Sequence, residues 1–333
     1  MIKVGLIGTG VGLKHLEAIN GYRDCKVISI LEKNRKKIST LKKKFKNINF
    51  FTDEKLFFSK NNFDLVSIAS YDEDHFRQVL YAIKKKCHVI VEKPICLNEK
   101  QLKKIYKELK LNPKIYFITN LVLRKNSLFN KLKSNINKKD LYHIEASYLW
   151  GRKKKLFQWR SKTTEYSLTL GATIHILDLI CWLTNSRPLS VIAKTNKKIT
   201  NNTSFKKFSF ATYIFTFPND IVVNLKADGV CIHPHYHSLK IFEKNKTTIS
   251  DFCGQFEIRK QGKLDKFKII KTNYEYPDKK NRGKFIREFI DSIIDNKPSH
   301  PSKKDIIDLM TACFHADLSA RCGKEIKIRY FDD

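Results

Sequence analysis

The sequence predicts a chain in two parts: an N-terminal α/β half built on a parallel sheet, and a C-terminal α+β half built on a large, mostly antiparallel open sheet. Three observations carry this. Short apolar strand patterns alternate with amphipathic helical patterns over roughly the first 120 residues, which is the signature of parallel βαβ units. Beyond residue 121 the strand patterns lengthen, several alternate in polarity, and turn residues such as Pro218-Asn219-Asp220 separate them. A chain of 333 residues is long enough for two domains, read here as 1–121 and 122–333.

Taken in order, Ile2 to Ile7 is the first strand, and Gly8-Thr9-Gly10-Val11-Gly12 follows it at once. The helix pattern Leu13, Leu16, Ile19 comes next. A glycine turn between a strand and a helix N-terminus is the place where a dinucleotide pyrophosphate is held, because glycine permits both the tight turn and close backbone approach. The spacing is G-x-G-x-G, one residue shorter than the usual fingerprint. Val27 to Leu31 is the second strand and ends at Glu32, placed to accept hydrogen bonds from adenosine ribose hydroxyls and to repel a 2′-phosphate. NAD is therefore expected as cofactor, with NADP less favoured, although Lys33 and Arg35 follow directly and can pair with a phosphate.

A lysine-rich helix from Arg35 to Phe45, a short strand near Phe50 and a strand from Asp64 to Ala69 continue the alternation. Ser70 to His75 forms the next loop, with Asp72 or Asp74 expected to cap a helix that carries Phe76, Val79, Leu80 and Ile83 on one side. Val89 to Val91 is a short β-branched run of the kind a buried parallel strand needs, and Glu92-Lys93-Pro94 ends it. Lys93 thus lies at the carboxyl edge of a parallel sheet, where ligands bind in open α/β folds. A helix from about Asn98 to Leu109 and a strand from Ile115 to Thr119 complete the half.

Composition bounds the function. Hydrophobic residues make up 42% of the chain, enough for packed cores. No apolar run reaches the length of a membrane span and no signal-peptide pattern opens the chain, so a cytoplasmic protein without membrane attachment is expected. The eight cysteines are scattered without C-x-x-C spacing, as reduced core thiols would be, and no metal site is expected. The formal charge of +32 comes from lysines spread along the polar faces of most elements rather than clustered in a nucleic-acid-binding motif. Nucleic acid is not expected as a partner; a positive surface does suit a small substrate with an anionic group.

The glycine loop with His15 just beyond it, the acidic Glu32, the loop carrying His75 and the run His88-Val-Ile-Val-Glu-Lys-Pro94 together resemble the Gfo/Idh/MocA family of nicotinamide-dependent oxidoreductases. The resemblance implies a Rossmann-type first domain holding the cofactor through Gly8, Thr9, Gly10, Val11, Gly12, Glu32, Ser70, His75, Glu92 and Lys93. It extends into the second half, where Gly171-Ala-Thr-Ile-His175-Ile-Leu-Asp178-Leu matches a family segment that reads roughly D-x-G-x-H-x-x-D-L. His175 and Asp178 fit that segment, but Gly171 stands at its acidic position, so the Lys-Asp-His trio the family implies is incomplete here.

In the second half, strands are expected at Tyr142 to Trp150, Leu189 to Lys194, Phe208 to Phe217, Ile221 to Ala227, Leu239 to Phe242 and Thr247 to Ser250. A helix is expected around Leu128 to Leu132, and another through His175 and Asp178, three apart on one face, with Leu179 and Trp182 on the core side. His233-Pro-His235-Tyr-His237 has the period that puts three imidazoles on one strand face, and is read as pocket wall or interface rather than metal site. Two amphipathic helices, through Phe285 to Ile293 and Ile306 to Leu318, and a strand from Ile326 to Tyr330 end the chain.

The expected function is reversible oxidation of a secondary hydroxyl on a sugar, nucleotide sugar or cyclitol. Lys93 is the expected acid–base residue, with its pKa lowered by burial and cationic neighbours, and His175 the proton-sharing partner. By position in the resembling family, Arg124, Tyr148, Trp159, Arg160 and Asp178 are expected around the substrate. The resemblance also implies a homo-oligomer, dimer or tetramer, joined through the C-terminal sheet. Gly171 favours an alternative, a nicotinamide-binding sensor or partner subunit without turnover.

Overall fold

The computed structural model describes residues 1–332 apart from 164, 252–253, 259–266 and 271–280, with backbone alone at 254–256, 267–270 and 281–282. Cys253, one of the scattered cysteines, lies outside the described residues. The chain divides into two units, Met1–Val122 with Lys280–Ile307, and Leu123–Lys279 with Asp308–Asp333.

The first unit carries β1 (Ile2–Ile7), α1 (Gly12–Ile19), β2 (Cys25–Leu31), α2 (Arg35–Lys44), β3 (Asn49–Phe51), α3 (Glu54–Ser59), β4 (Leu65–Ile68), α4 (Asp72–Lys84), β5 (His88–Val91), α5 (Glu99–Leu111) and β6 (Phe117–Thr119). The strands form one sheet in the order β3-β2-β1-β4-β5-β6, and every pairing is parallel. Val4, Leu6, Ile30, Leu65, Val66, Val89 and Ile90 are fully buried, the result of helices covering both faces of a sheet whose strands are mostly apolar. Strand order reverses direction between β1 and β4, and the crevice at such a switch point is where open α/β sheets take ligands. The glycine loop leaves β1 and the Ser70 loop leaves β4 at that point.

Local chemistry sets the helix starts. Asn34, Asp53 and Asn98 accept bonds from first-turn amides of α2, α3 and α5. The start of α4 differs from expectation. Tyr71 is its N-cap and makes no side-chain cap bond, while Asp72, Glu73 and Asp74 all fall in the first turn, where negative charge meets the positive end of the helix dipole. The inward face of α4 is also turned, to His75, Gln78, Val79, Ala82 and Ile83, because His75 bonds the buried Pro94 carbonyl and Gln78 bonds Ser70 and Glu54.

The second unit opens with a 3-10 turn over Val122–Lys125 that begins in the first, followed by α6 (Ser127–Asn135) and β7 (Leu141–Leu149). Next come α7 (Trp159–Lys162), a π-helical turn at Thr169–Thr173, and α8 (Ile174–Thr184). The strands β8 (Ser190–Asn196), β9 (Phe210–Thr216), β10 (Val222–Asp228), β11 (Tyr236–Glu243), β12 (Lys246–Asp251), β13 (Gly254–Ile258) and β14 (Phe267–Ile270) complete the middle of the chain. After α9 (Asn281–Ile294) and α10 (Lys303–Cys322), β15 (Ile326–Lys327) joins the same sheet, whose order is β14-β13-β12-β11-β7-β10-β9-β8-β15. Only β7 and β10 pair in parallel; the other neighbours are antiparallel. Polarity alternates as a half-covered sheet requires: Ala193, Tyr213, Leu225, Ala146 and Leu239 form a buried cross-strand row, and Ile192, Ile214, Asn224, Glu145 and Lys240 form its outward counterpart.

The region after 122 does not all group together, since α9 belongs to the first unit. Its buried Phe285, Phe289 and Ile290 pack it on α1, Arg287 donates to the Ala18 carbonyl at 3.2 Å, and Arg23 pairs with Asp291 and Asp295. Strands β13 and β14 have no counterpart in the sequence reading. Among the described residues no helix is long and apolar enough to cross a membrane.

Candidate active site

In the first unit the site begins at the glycine loop. Gly8 has φ +86°, and a Cβ there would lie 2.7 Å from the Ala69 carbonyl carbon and 2.9 Å from the Ser70 nitrogen, so no other residue fits between the two loops. Gly10 has nothing within 4 Å of the place a Cβ would take, which leaves its backbone open to close approach. Glu32 is wired to this loop. The Thr9 amide donates to it at 3.1 Å, the Thr9 hydroxyl bonds the same oxygen, and the Asn34 amide donates to the other at 2.9 Å. Burial pushes the carboxyl's pKa up, but the bonds from Thr9 and Asn34 and the nearby Lys37 outweigh it and hold the group below its ordinary value. An open glycine backbone beside a fixed, ionised carboxylate fits the pyrophosphate and adenosine ribose of NAD. Lys33 is turned away into a 2.7 Å pair with Asp74.

A buried hydrogen-bond network then fixes the Glu92-Lys93 corner. His15, fully buried on α1, places Nδ1 2.8 Å from the Ser67 hydroxyl of β4 and Nε2 3.0 Å from Glu92. Asn120, just past β6, donates to the same Glu92 oxygen at 2.5 Å, and the Glu92 amide donates to the Ile68 carbonyl at 2.8 Å. Three adjacent strand ends and α1 therefore hold Glu92, and through it the backbone of the half-buried Lys93. Sequence reasoning named His15 only through the resemblance and did not single out Asn120. The signal available for it was a polar residue directly after an apolar strand end.

His75, expected to touch the cofactor, lies behind the loop that carries Lys93. It is fully buried, and its Nδ1 lies 2.7 Å from the Pro94 carbonyl. A carbonyl can only accept, so Nδ1 carries the proton and the imidazole holds the Lys93-Pro94 corner from behind. Ser70 remains at the switch point, half-buried, with its hydroxyl donating to Gln78 at 2.7 Å.

The second unit gathers a ring cluster. Along 168–180 only Gly171 and His175 are partly accessible, the rest of the π-turn and the first part of α8 being buried. Such π-turns recur at functional sites. The His175 ring lies parallel to Tyr148 at 6.3 Å between centroids, and His237, directly opposite Tyr148 on β11, meets that ring edge-on at 4.5 Å. His235 adds its Nε2 3.2 Å from the Tyr148 hydroxyl. Burial raises the Tyr148 pKa, and burial followed by His235 and Arg152 holds His237 well below its ordinary value, so that imidazole is neutral. The three imidazoles of 233–237 do not share one strand face: β11 begins at Tyr236, and His233 bonds the Pro234 carbonyl.

Beside this cluster the Arg160 guanidinium lies 4.3 Å from the centre of Trp159 and 5.2 Å from that of Trp150. Arg124 and Asp178, expected around the substrate, bond each other. They are 7% and 1% exposed and meet twice through Nε at 3.1 and 3.0 Å and once through Nη2 at 2.5 Å. This buried, charge-assisted pair ties the Val122–Lys125 turn to α8. Trp182 is half-exposed rather than core, with the Lys133 ammonium 4.0 Å from its ring centre.

Comparison with protein families agrees with this geometry in both units. Residues 2–120 match the family model described as an oxidoreductase family with an NAD-binding Rossmann fold, and residues 140–247 match the model of the GFO/IDH/MocA C-terminal domain. The chain belongs to the Gfo/Idh/MocA oxidoreductase family. Within it, 27% of residues over a 212-residue stretch are identical to glucose-6-phosphate 3-dehydrogenase of Bacillus subtilis; the match covers 60% of this chain and 59% of that enzyme. Among solved structures, myo-inositol 2-dehydrogenase of Lactobacillus plantarum superposes with a TM-score of 0.83 at 16% identity, covering 98% of this chain and 99% of that one. UDP-N-acetylglucosamine 3-dehydrogenase of Acidithiobacillus ferrooxidans does so with a TM-score of 0.77 at 18% identity, covering 96% and 97%. At these identities the structural likeness establishes the fold.

Proposed function

We propose that this Gfo/Idh/MocA protein is an NAD-dependent dehydrogenase that oxidises, reversibly, a secondary hydroxyl of a sugar, nucleotide sugar or cyclitol. The observation that carries the reading is the Ser67–His15–Glu92–Asn120 network, which fixes a lysine corner at the carboxyl edge of a parallel sheet whose switch-point loop is shaped for a dinucleotide. NAD, when bound, supplies the hydride acceptor, or as NADH the donor. Gly8, Thr9, Gly10, Val11, Gly12 and Glu32 hold it, with Ser70 at the switch point. Lys93 hydrogen-bonds the reacting oxygen and takes its proton as the carbonyl forms, and His175 shares that proton. In the reverse direction the same groups return it. Tyr148, Trp159 and Arg160 bind the substrate. Arg152, Lys155 and Arg160 support a substrate with an anionic group, since among the described residues none of the three makes an ion pair.

The reading further includes a cytoplasmic location, supported by seven cysteines free of disulfides among the described residues, and a homo-oligomer joined through the outward face of the C-terminal sheet. The alternative, a nicotinamide-binding subunit without turnover, rests on Gly171.

One assay separates them. Any nucleotide released from the purified protein is identified, and nicotinamide absorbance is followed against UDP-N-acetylglucosamine, glucose 6-phosphate and inositols. Turnover of a panel member, reduced about 10²- to 10⁴-fold in Lys93→Ala with NADH still bound, is expected. Full activity of Lys93→Ala overturns the mechanism. NADH binding without turnover on any sugar favours the sensor reading, and absence of nicotinamide binding overturns both.

A further inference from the structure

Gly171 poses a problem that its backbone does not answer. It lies within the π-helical turn, where glycine is the least tolerated residue after proline, and its φ is not in the left-handed region that would call for glycine. The reason is steric. A Cβ at position 171 would lie 2.7 Å from Cε2 of Tyr166 and nearer still to its Cζ and hydroxyl, so the tip of the phenol occupies the space a side chain at 171 would fill. This is not a loose side chain that can move aside. Tyr166 is buried, meets Trp159 edge-on at 6.3 Å and Phe205 at 5.9 Å, and has the Arg160 guanidinium 5.8 Å from its ring centre.

Position 171 is four residues before His175, one turn along the helix, and residues so spaced are neighbours on one face. Gly171 and His175 are also the only partly accessible residues between Leu168 and Ile180. We infer that Tyr166 is a positioning residue of the proposed reaction: its hydroxyl, standing in the side-chain place of Gly171, orients the imidazole of His175. The inference rests on the role proposed for His175. A phenol in this place offers one donor and one acceptor without the negative charge a carboxylate would bring. The Tyr148 phenol belongs to the same neighbourhood, for Tyr166 is, after burial, the next cause of its raised pKa. The absence of an acidic side chain at 171 is then a replacement of one hydrogen-bonding group by another rather than a deletion.

Tyr166→Phe is the decisive variant, because it keeps the ring, its packing and the fold and removes only the hydroxyl. With histidine ¹⁵N-labelled and NADH present, the imidazole resonances of His175, assigned by their loss in His175→Gln, are expected to shift in Tyr166→Phe. On whichever panel substrate responds, kcat is expected to fall about tenfold with KM unchanged, the size of one lost hydrogen bond. Gly171→Ala, which must displace the phenol, should reproduce that fall and add little to it in the double variant. Wild-type kcat together with unmoved His175 resonances in Tyr166→Phe overturns the inference. If no substrate responds, the proposed function fails first and the resonances alone decide this point. If Lys93→Ala abolishes turnover while Tyr166→Phe leaves both readouts unchanged, the function stands and the inference falls.

Discussion

Glu32 and His237 show how single side chains of this protein take their properties from what surrounds them. The Glu32 carboxylate is held below its ordinary pKa by Thr9 and Asn34, so its contribution to stability is present above the unfolded value of about 4.3 and is lost as pH falls through the folded one. The same charge faces a cofactor 2′-phosphate in the proposed site. Glu32→Ser is expected to lower the preference for NAD over NADP by about tenfold or more, read as the ratio of the two dissociation constants by fluorescence titration. An unchanged ratio would place cofactor choice elsewhere. His237 runs the other way: buried and neutral, it refuses a proton that an unfolded imidazole takes up near pH 6.5. The unfolded chain therefore binds more protons below that pH, and stability is expected to fall from pH 7.5 to 5.5 by an amount that shrinks in His237→Asn, as melting temperatures across that range will show. Lys93 was legible in the sequence because a strand end and a proline mark its place. Asn120 was not, because its role depends on two strand ends that only the sheet brings together.

At the scale of elements, the 3.6 and 2.0 periods located the longer helices and most strands, missed the short α3 and α7, and failed where packing chose between equivalent faces. Helix α4 buries His75 and Gln78 in preference to Phe76 and Leu80, since a polar group whose hydrogen bonds are satisfied can outcompete an apolar one at the helix edge. The π-turn before α8 left no periodic signal, and the short alternation Gln255-Phe-Glu-Ile258 of β13 has no counterpart in the sequence reading. Arg124 and Asp178 belong to this scale too, because they join a turn to a helix. Removing one partner leaves a charge buried alone, so Arg124→Met is expected to destabilise the protein by about 3–5 kcal/mol in urea unfolding, and Arg124→Met with Asp178→Leu to recover most of that loss. A substrate-binding role would instead raise KM at unchanged stability.

For the whole molecule, charge and exposed surface matter more than any one contact. The lysines behind the +32 formal charge recur on most outward helix faces, as in α2, where only Ile38 and Leu41 are buried. The C-terminal sheet differs: its outward face exposes Ile214, 46% accessible, beside the half-buried Ile192, in a row that continues into Asn224, Glu145 and Lys240. If that face joins copies of the chain, Ile214→Glu is expected to convert a dimer or tetramer to monomer in light scattering, with the circular dichroism spectrum unchanged. A monomeric wild-type protein would remove the reading.

Taken by itself, the amino-acid order determined the class of fold, the glycine loop, the acid that ends β2 and the lysine that ends β5. These are local facts, written in strand periods, glycine positions and the residues that terminate strands. The tertiary structure alone decided that His75 props a loop, that Arg124 and Asp178 consume each other, that α9 packs with the first unit, and that the phenol of Tyr166 fills the space left by Gly171. Each of these is a pairing between residues whose partners are chosen by burial, and the cost of leaving a polar group or a void inside is settled only when the chain has closed around it.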